Sequence, residues 1–286
     1  MTDGTLFVVA TPIGNLEDLS PRARQILREV ELVASEDTRR TGRLLSHFGI
    51  QATQIALHEH NEAVASERII EALGEGRSVA LVSDAGTPLI SDPGYRLLRA
   101  AHDAGKTVCP IPGPSALIAA LSVAGLATDR FCFEGFLPAK SSGRKARLTA
   151  LKNEERTLVF YEAVHRISAT IADMHDILGP GRDAFIGREL SKMHEQCVLA
   201  PLERLVQQLA DSSIPTKGEF VIVVAGAPES AEPSNLDTDT LLRRLAPLLP
   251  PRQAAEIVAE ASGQRRNAVY QRMLELTRNE APKEPS

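Results

Sequence analysis

The segment Leu81–Gly94 reads LVSDAGTPLISDPG and brings together two Gly, two Pro, two Asp and two Ser. A connection between a strand and a helix needs only about 2–6 residues. Ser83–Ile90 therefore reads as a ligand loop, with Asp92 and Pro93 opening the helix that follows. Gly86 lets a ligand approach the backbone closely. The Asp84 carboxylate can accept hydrogen bonds from an ammonium group or a ribose hydroxyl. Two more such loops are Thr11-Pro12-Ile13-Gly14-Asn15 and Pro112-Gly113-Pro114-Ser115-Ala116. Neither fits the dinucleotide G-x-G-x-x-G pattern, and no Walker loop occurs. Each loop is a weak signal alone. Following three different parallel strands, they point to one small-molecule pocket of neither Rossmann nor P-loop type.

Charged residues mark other strand ends. In Glu36-Asp37-Thr38-Arg39-Arg40 the acids suit the N-terminus of the next helix, whereas Arg39 and Arg40 do not. An anionic partner would explain the two cations. His58-Glu59-His60-Asn61 has no third ligand of clear spacing nearby, so loop structure or substrate contact is expected rather than a metal. Phe160–Arg166 (FYEAVHR), Gly187–Lys192 (GRELSK) and Lys217–Glu219 each put charge at a strand terminus. Surface ion pairs, worth about 0–1 kcal/mol each, would account for them as well as a site would. Two basic islands stand out. Lys140, Arg144, Lys145, Arg147, Lys152 and Arg156 face only Glu154 and Glu155, and seven Arg between 243 and 278 face Glu256, Glu260 and Glu275. Such runs are usually solvated helix faces, yet in a chain of net charge −5 they make phosphate contact plausible.

The elements that must position these residues alternate. Leu6–Ala10 is the apolar run of a strand covered on both faces. Ser20 caps and Pro21 opens a helix with Ala23, Ile26, Leu27 and Val30 on one face. Strands at Glu31–Ser35, Ser78–Val82 and Thr107–Ile111 alternate with helices at Thr38–Phe48, Asn61–Leu73, Asp92–Gly105 and from Pro114 onward. That order predicts an open parallel α/β sheet over residues 1–125. From Phe131 the pattern changes to strands at Phe131–Phe136, Thr157–Tyr161, Ala184–Arg188, Gln196–Ala200 and Phe220–Ala225. Helices fall at Ser142–Lys152, Arg166–Leu178 and Leu202–Asp211. The strands at Ala184 and Gln196 are too close for a crossover and pair antiparallel. Residues 126–227 thus read as a second α+β lobe with a mixed sheet. A linker at 228–236 leads to a helix-turn-helix-like segment at 237–279, with Gly263 in its turn.

Composition narrows the classes. The 286 residues allow one large domain or two compact ones. With 43% hydrophobic and 24% charged residues, the chain is neither disordered, collagen-like nor a membrane bundle. Its apolar runs are far shorter than the ~20 residues a bilayer needs, and no basic-then-apolar leader opens it. Cys109, Cys132 and Cys197 form no C-x-x-C pair, which fits a reducing cytoplasm. The net charge disfavours a dedicated basic nucleic-acid binder. Aromatics are 4% with no Trp, so stacking on bases cannot be the main binding device.

The strings VATPIGN (9–15), ASEDTRRTGRLL (34–45), HEHNE (58–62), LVSDAGTPLISDPG (81–94), PGPSAL (112–117), FYEAVHRI (160–167), GRELSKMHE (187–195) and KGEFVIVVAG (217–226) occur in this order. Together they closely resemble the ribosomal RNA small subunit methyltransferase I family of the tetrapyrrole methylase (class III) methyltransferases. The match runs from Leu6 to Ala225, and Leu236–Leu276 resembles the family's C-terminal helix-turn-helix extension. SDAGTPLISDPG with HEHNE separates it from the porphyrin-precursor methylases, whose equivalent loop reads more like GGDP. Val164 stands where the family often has Pro, and Ser191 where it often has Thr, with no charge or hydroxyl lost.

The resemblance implies a two-lobed tetrapyrrole-methylase-like α/β fold with S-adenosylmethionine in the cleft, and a homodimer. It implies methyl transfer to the ribose 2′-hydroxyl of a cytidine in the decoding region of 16S rRNA, free or in the small ribosomal subunit. The alternative is a class III methyltransferase acting on a tetrapyrrole-like small molecule. The implied cofactor contacts are Pro12, Ser83, Asp84, Ala85, Gly86, Ile90, Ser115, Ala116, Tyr161 and Leu190. A sulfonium is already a strong electrophile, so no metal is needed. The ribose hydroxyl must lose its proton, and a positioned base would help. Asp37, Glu162 and Glu189 are the base candidates, unranked. Arg39, Arg40, Arg166, Arg188 and Lys192, with Arg144, Lys145, Arg265 and Arg266 of the basic islands, are the expected RNA contacts.

Overall fold

The computed structural model describes residues 4–228 and 237–279. The chain divides into two compact units, Met1–Gly226 and Ala227–Ser286. The first unit opens with alternating strands and helices: β1 (Thr5–Val9), α1 (Pro21–Glu29), β2 (Leu32–Ser35), α2 (Thr38–His47), β3 (Thr53–Ala56), α3 (Glu62–Gly74), β4 (Val79–Val82), α4 (Tyr95–Asp103), β5 (Thr107–Ile111) and α5 (Ala116–Val123). The five strands form one parallel sheet in the order β3-β2-β4-β1-β5. All four residues of β4 are buried, because helices cover both sheet faces. Leu57, Ile69, Leu73 and Leu97 pack on one face, and Leu19, Leu27, Leu45 and Ile50 on the other.

A second five-stranded sheet follows. It comprises β6 (Phe131–Phe136), β7 (Thr157–Glu162), β8 (Asp183–Arg188), β9 (Gln196–Pro201) and β10 (Phe220–Val224), with α6 (Ser141–Ala150), α7 (Ile167–Leu178) and α8 (Leu202–Ala210) between strands. The order is β6-β7-β10-β8-β9; only β6 and β7 run parallel, and β8 and β9 are antiparallel as their short connection requires. The three helices cover one face around Leu148, Phe160, Ile171 and Leu205. Helix α5 of the first lobe packs Leu117, Ala120 and Leu121 onto the other, against Val159, Phe185, Val221 and Val223. The apolar α5 therefore joins the two lobes.

The second unit holds α9 (Thr238–Leu245), α10 (Pro251–Ser262) and α11 (Arg266–Asn279) around Leu242, Val258, Val269 and Met273. Gly263 ends α10 in the left-handed conformation, as its place in the turn requires. The linker expected at 228–236 lies, from 229 on, outside the described residues. Among the described residues no helix is long and apolar enough to cross a membrane.

Ser20 and Pro21 start α1 as expected, with Ser20 Oγ accepting from the Ala23 amide at 3.1 Å. Other local expectations are corrected. Thr53–Ala56 carries no strand signature, being half polar and at the sheet edge, yet it pairs with β2. Asn61 stands at the N-cap of α3, where its carbonyl accepts from the Ala65 amide, but its side chain makes no cap: the carboxamide accepts from the His58 amide and donates to the Ala56 carbonyl, closing the loop after β3. Asp92 and Pro93 do not open α4, which starts after Gly94 at φ +125°. Pro114 likewise precedes α5 rather than starting it.

Candidate active site

Sheet order brings the three Gly/Pro loops together. β4, β1 and β5 are adjacent and parallel, so the loops after them leave the same sheet edge side by side. Thr11 and Gly86 exchange both backbone hydrogen bonds, at 2.8 and 3.0 Å. Ser83 Oγ donates to the Gly86 carbonyl at 2.8 Å, and Thr87 Oγ1 donates to the Pro114 carbonyl at 3.0 Å. The second lobe closes over this edge, where Tyr161 of β7 accepts a hydrogen bond from the Leu117 amide at 3.2 Å. The Ser191 hydroxyl donates to Asp18, and the Lys192 stem lies across Gly14.

Between the lobes lies a cavity of about 510 Å³. Of the ten expected cofactor contacts, Asp84, Ala85, Gly86, Ile90, Ala116, Tyr161 and Leu190 line it. Ser83 is buried beneath the loop and holds it. Ser115 lines a neighbouring cavity of about 470 Å³ with Asp18, Ser191 and Cys197. Pro12 is buried and lines neither. Ile13, Ile90, Ala116 and Leu190 form an apolar wall.

The opposite rim is acidic. Glu36 follows β2, which neighbours β4, so it stands beside Asp84; Asp92 completes the group. Asp84 accepts from the Asp37 amide at 3.0 Å and lies 3.5 Å from Arg40, a cation that also lines the cavity. Burial, and then Asp84 and Glu59, raise the Glu36 carboxyl above the ordinary carboxylate range. Burial, and then Glu36 and Asp84, push Asp92 up to about 6. Glu36 and Asp92 escape a search for chemistry in the sequence: each resembles helix-start polarity until strand order shows what it faces.

The HEHNE motif serves this rim from outside. Buried Glu62 accepts from the Gly94 and Arg96 amides at 3.1 and 2.8 Å, tying α3 to the SDPG turn. His58 and Glu59 act electrostatically on Glu36.

All three expected base candidates are engaged by other groups, and of them only Glu162 lines the cavity. Asp37 caps α2 and is folded onto Arg39, whose hydrogen bonds hold its carboxyl down at about 2. That local pair accounts for Arg39 beside a helix start. Glu162 is buried, accepting from Arg166 Nε at 2.8 Å, the Ala163 amide at 2.7 Å and Thr170 Oγ1 at 2.5 Å. Burial would raise the Glu189 carboxyl, but hydrogen bonds from Lys192 and the Glu219 amide outweigh it and hold it below its ordinary value.

Several expected RNA contacts are likewise spent internally. Arg188 is buried and donates to the Lys217 and His194 carbonyls at 2.6 and 2.9 Å. Arg166 is held by Glu162, and Lys192 bridges Glu189 and Glu219 at 2.8 Å each. The first basic island is largely neutralised by acids distant in sequence. Arg144 is buried against Asp173, Lys145 lies 3.3 Å from the same carboxylate, and Arg147 pairs with Glu134. Arg144 and Arg188 are therefore corrected to internal structural roles, since a buried, paired guanidinium cannot reach a phosphate. In the second unit Arg265 and Arg266 are exposed, with Arg266 3.0 Å from Glu256.

Residues 5–206 match the family described as tetrapyrrole (corrin/porphyrin) methylases, and residues 232–277 match the RsmI C-terminal HTH domain. The chain is 53% identical to ribosomal RNA small subunit methyltransferase I of Pseudomonas aeruginosa, over 96% of this chain and 98% of that protein. It is 48% identical to the protein of the same name in Escherichia coli O157:H7, over 96% of each. Among solved structures it resembles the methyltransferase CobJ, with TM-score 0.58 at 20% identity over 78% of this chain and 95% of that one. It also resembles uroporphyrin-III C-methyltransferase from Thermus thermophilus complexed with S-adenosylhomocysteine, with TM-score 0.55 at 18% identity over 78% and 97%. At such identity these likenesses speak for the fold. With the two-lobed fold, the converging loops and near-full-length relatives in agreement, the chain belongs to the tetrapyrrole methylase family, in its ribosomal RNA small subunit methyltransferase I branch.

Proposed function

We propose that the cleft binds S-adenosylmethionine and that the protein transfers its methyl group to the 2′-hydroxyl of a cytidine ribose in the decoding region of 16S rRNA. The observation that carries the reading is the single cavity made by three loops distant in sequence, apolar on one wall and acidic on the other. Its size falls within the ~300–1,000 Å³ of small-molecule sites. Ile13, Ile90, Ala116 and Leu190 suit an adenine ring. Asp84 and Glu36 suit an ammonium group, ribose hydroxyls and the positive charge of a sulfonium. Gly86, at φ +86° and without a side chain, suits close approach of a ligand to the backbone. When bound, the donor supplies an electrophilic methyl group, and the protein's own work is alignment and exclusion of water. Tyr161 and Leu190 of the second lobe line the cavity and would hold the donor, and Arg40, which lines it too, would hold an RNA phosphate.

The same proposal includes a homodimer, supported by exposed Ile118 and Val123 on α5 and Leu199 on β9, and a cytoplasmic location, supported by the names of the rRNA methyltransferase relatives. The names of the full-length relatives support the rRNA substrate. Mass mapping of 16S rRNA ribose methylation, with and without the protein, is the decisive measurement. One ribose methyl that appears only with the protein is expected; an unchanged map would refute the reading and favour a small-molecule acceptor.

The helical unit is proposed to dock rRNA through its exposed arginines. Replacing Arg265 and Arg266 together with alanine is expected to weaken 16S rRNA binding and lower the slope of log K against log salt by about 1–2, at ~0.7–0.9 per lost phosphate contact. Filter binding across a salt series measures this. An unaltered slope would remove these two residues from the interface.

A further inference from the structure

Five carboxylates line the cavity among the described residues: Glu36, Asp84, Asp92, Glu162 and Glu219. Three of them have cationic partners. Asp84 has Arg40, Glu162 has Arg166, and Glu219 has Lys192. Glu36 lies on the first-lobe rim, where Arg40 and His58 partly offset Asp84 and Glu59. Asp92 differs from all four. It lines the cavity with Glu36 from the end of β2 and Asp84 from the end of β4, whose charges both act on it, and among the described residues it forms no ion pair. Tyr161 of β7 lies close enough across the cavity to feel its charge. Its loop is held firmly: Glu62 takes the Gly94 and Arg96 amides, and Leu81 Cδ2 would sit 3.1 Å from a Cβ at Gly94. Asp92 is thus an unpaired carboxylate fixed where the two lobes face each other.

We infer that the Asp92 carboxylate accepts the proton of the substrate hydroxyl during methyl transfer; this rests on the ribose 2′-O-methylation proposed above. The step balances. The hydroxyl oxygen forms a bond to the methyl carbon, the pair of the breaking carbon–sulfur bond stays on sulfur, and the O–H proton moves to an Asp92 oxygen. The products are the methyl ether, a neutral thioether and a neutral Asp92, which then returns its proton to water. Burial and the two neighbouring carboxylates make Asp92 more basic than an ordinary aspartate while leaving it ionised at pH 7. A general base works best when it titrates near the operating pH, a condition that Asp37 at about 2 does not meet.

The test is single-turnover methyl transfer from labelled S-adenosylmethionine to small subunits from cells lacking the protein, followed against pH. The wild-type rate should rise about tenfold per pH unit below a midpoint near 6 and then level off, because a protonated Asp92 cannot accept. Asp92→Asn should transfer methyl ~10²–10⁴-fold more slowly and lose that acid limb. Its affinity for S-adenosylhomocysteine by calorimetry should stay within about twofold, which also reports that it folds. Asp92→Glu should recover part of the rate together with an acid limb. An Asp92→Asn protein with the wild-type rate and limb would overturn the inference. So would parallel loss of rate and S-adenosylhomocysteine affinity, which would make Asp92 a donor contact, or transfer of the limb to Glu36→Gln. Wild-type protein that binds S-adenosylhomocysteine but methylates no subunit would instead refute the rRNA reading, and this inference with it.

Discussion

Arg144→Ala is expected to destabilise the second lobe by about 3–5 kcal/mol. The Arg144 side chain is 6% exposed and that of Asp173 10%. Nε and Nη2 of the guanidinium both lie 2.6 Å from Asp173 Oδ2, and the pair joins α6 to α7. Truncation leaves the Asp173 charge buried without its main partner. Lys145, half-exposed and 3.3 Å from the other oxygen, recovers only part of the loss. Urea unfolding should show a lower midpoint at unchanged slope, and melting should fall by roughly 2–4 °C per kcal/mol in a unit of this size. Replacing both residues with apolar side chains of similar volume should be far milder, because no charge is then stranded. A loss below about 1 kcal/mol for Arg144→Ala would mean that water reaches the pair. Arg144 thus looks like an RNA contact in sequence, yet its largest measurable effect should be on folding.

Gly86→Val should weaken S-adenosylhomocysteine binding by roughly 5–150-fold, the equivalent of about 1–3 kcal/mol of backbone strain. Gly86 sits at φ +86°, where a β-branched residue is strongly disfavoured. A Cβ there would also lie 3.3 Å from Ile13 Cγ2. The chain can relieve that strain by giving up the paired hydrogen bonds to Thr11, and these hold the first two loops together. Gly86→Ala meets the same φ with less bulk and should lose less. Calorimetry on the two variants checks the order. Unchanged affinity in Gly86→Val would remove this loop from the donor site.

Much of the site is legible in the amino-acid sequence. Proline and glycine punctuate the loops, and their types disclose local conformation: Ser20 and Pro21 start a helix, Gly86 takes a positive φ, and Gly263 turns the chain. The three loops could be expected to share a pocket because parallel strands leave their carboxyl ends on one edge. Seven of ten expected donor contacts line one cavity. The less legible part was charge. Asp92 resembles a helix start in sequence and proves to line the cavity with Glu36, Asp84 and Tyr161. Arg144 and Lys145 look like a free basic run until Asp173, on the next helix, takes both.

By itself, then, the amino-acid order determined most of the alternation of strands and helices, the helix start at Ser20–Pro21 and the apolar faces, because these depend on backbone preference and on neighbours a few residues away. Only the tertiary structure decided which carboxylates are paired, which cations are spent and which acid is left alone at the cleft. Electrostatic energy depends on distance and burial, and here both follow from the strand order β2-β4-β1-β5, which sets Glu36 beside Asp84 across 47 intervening residues.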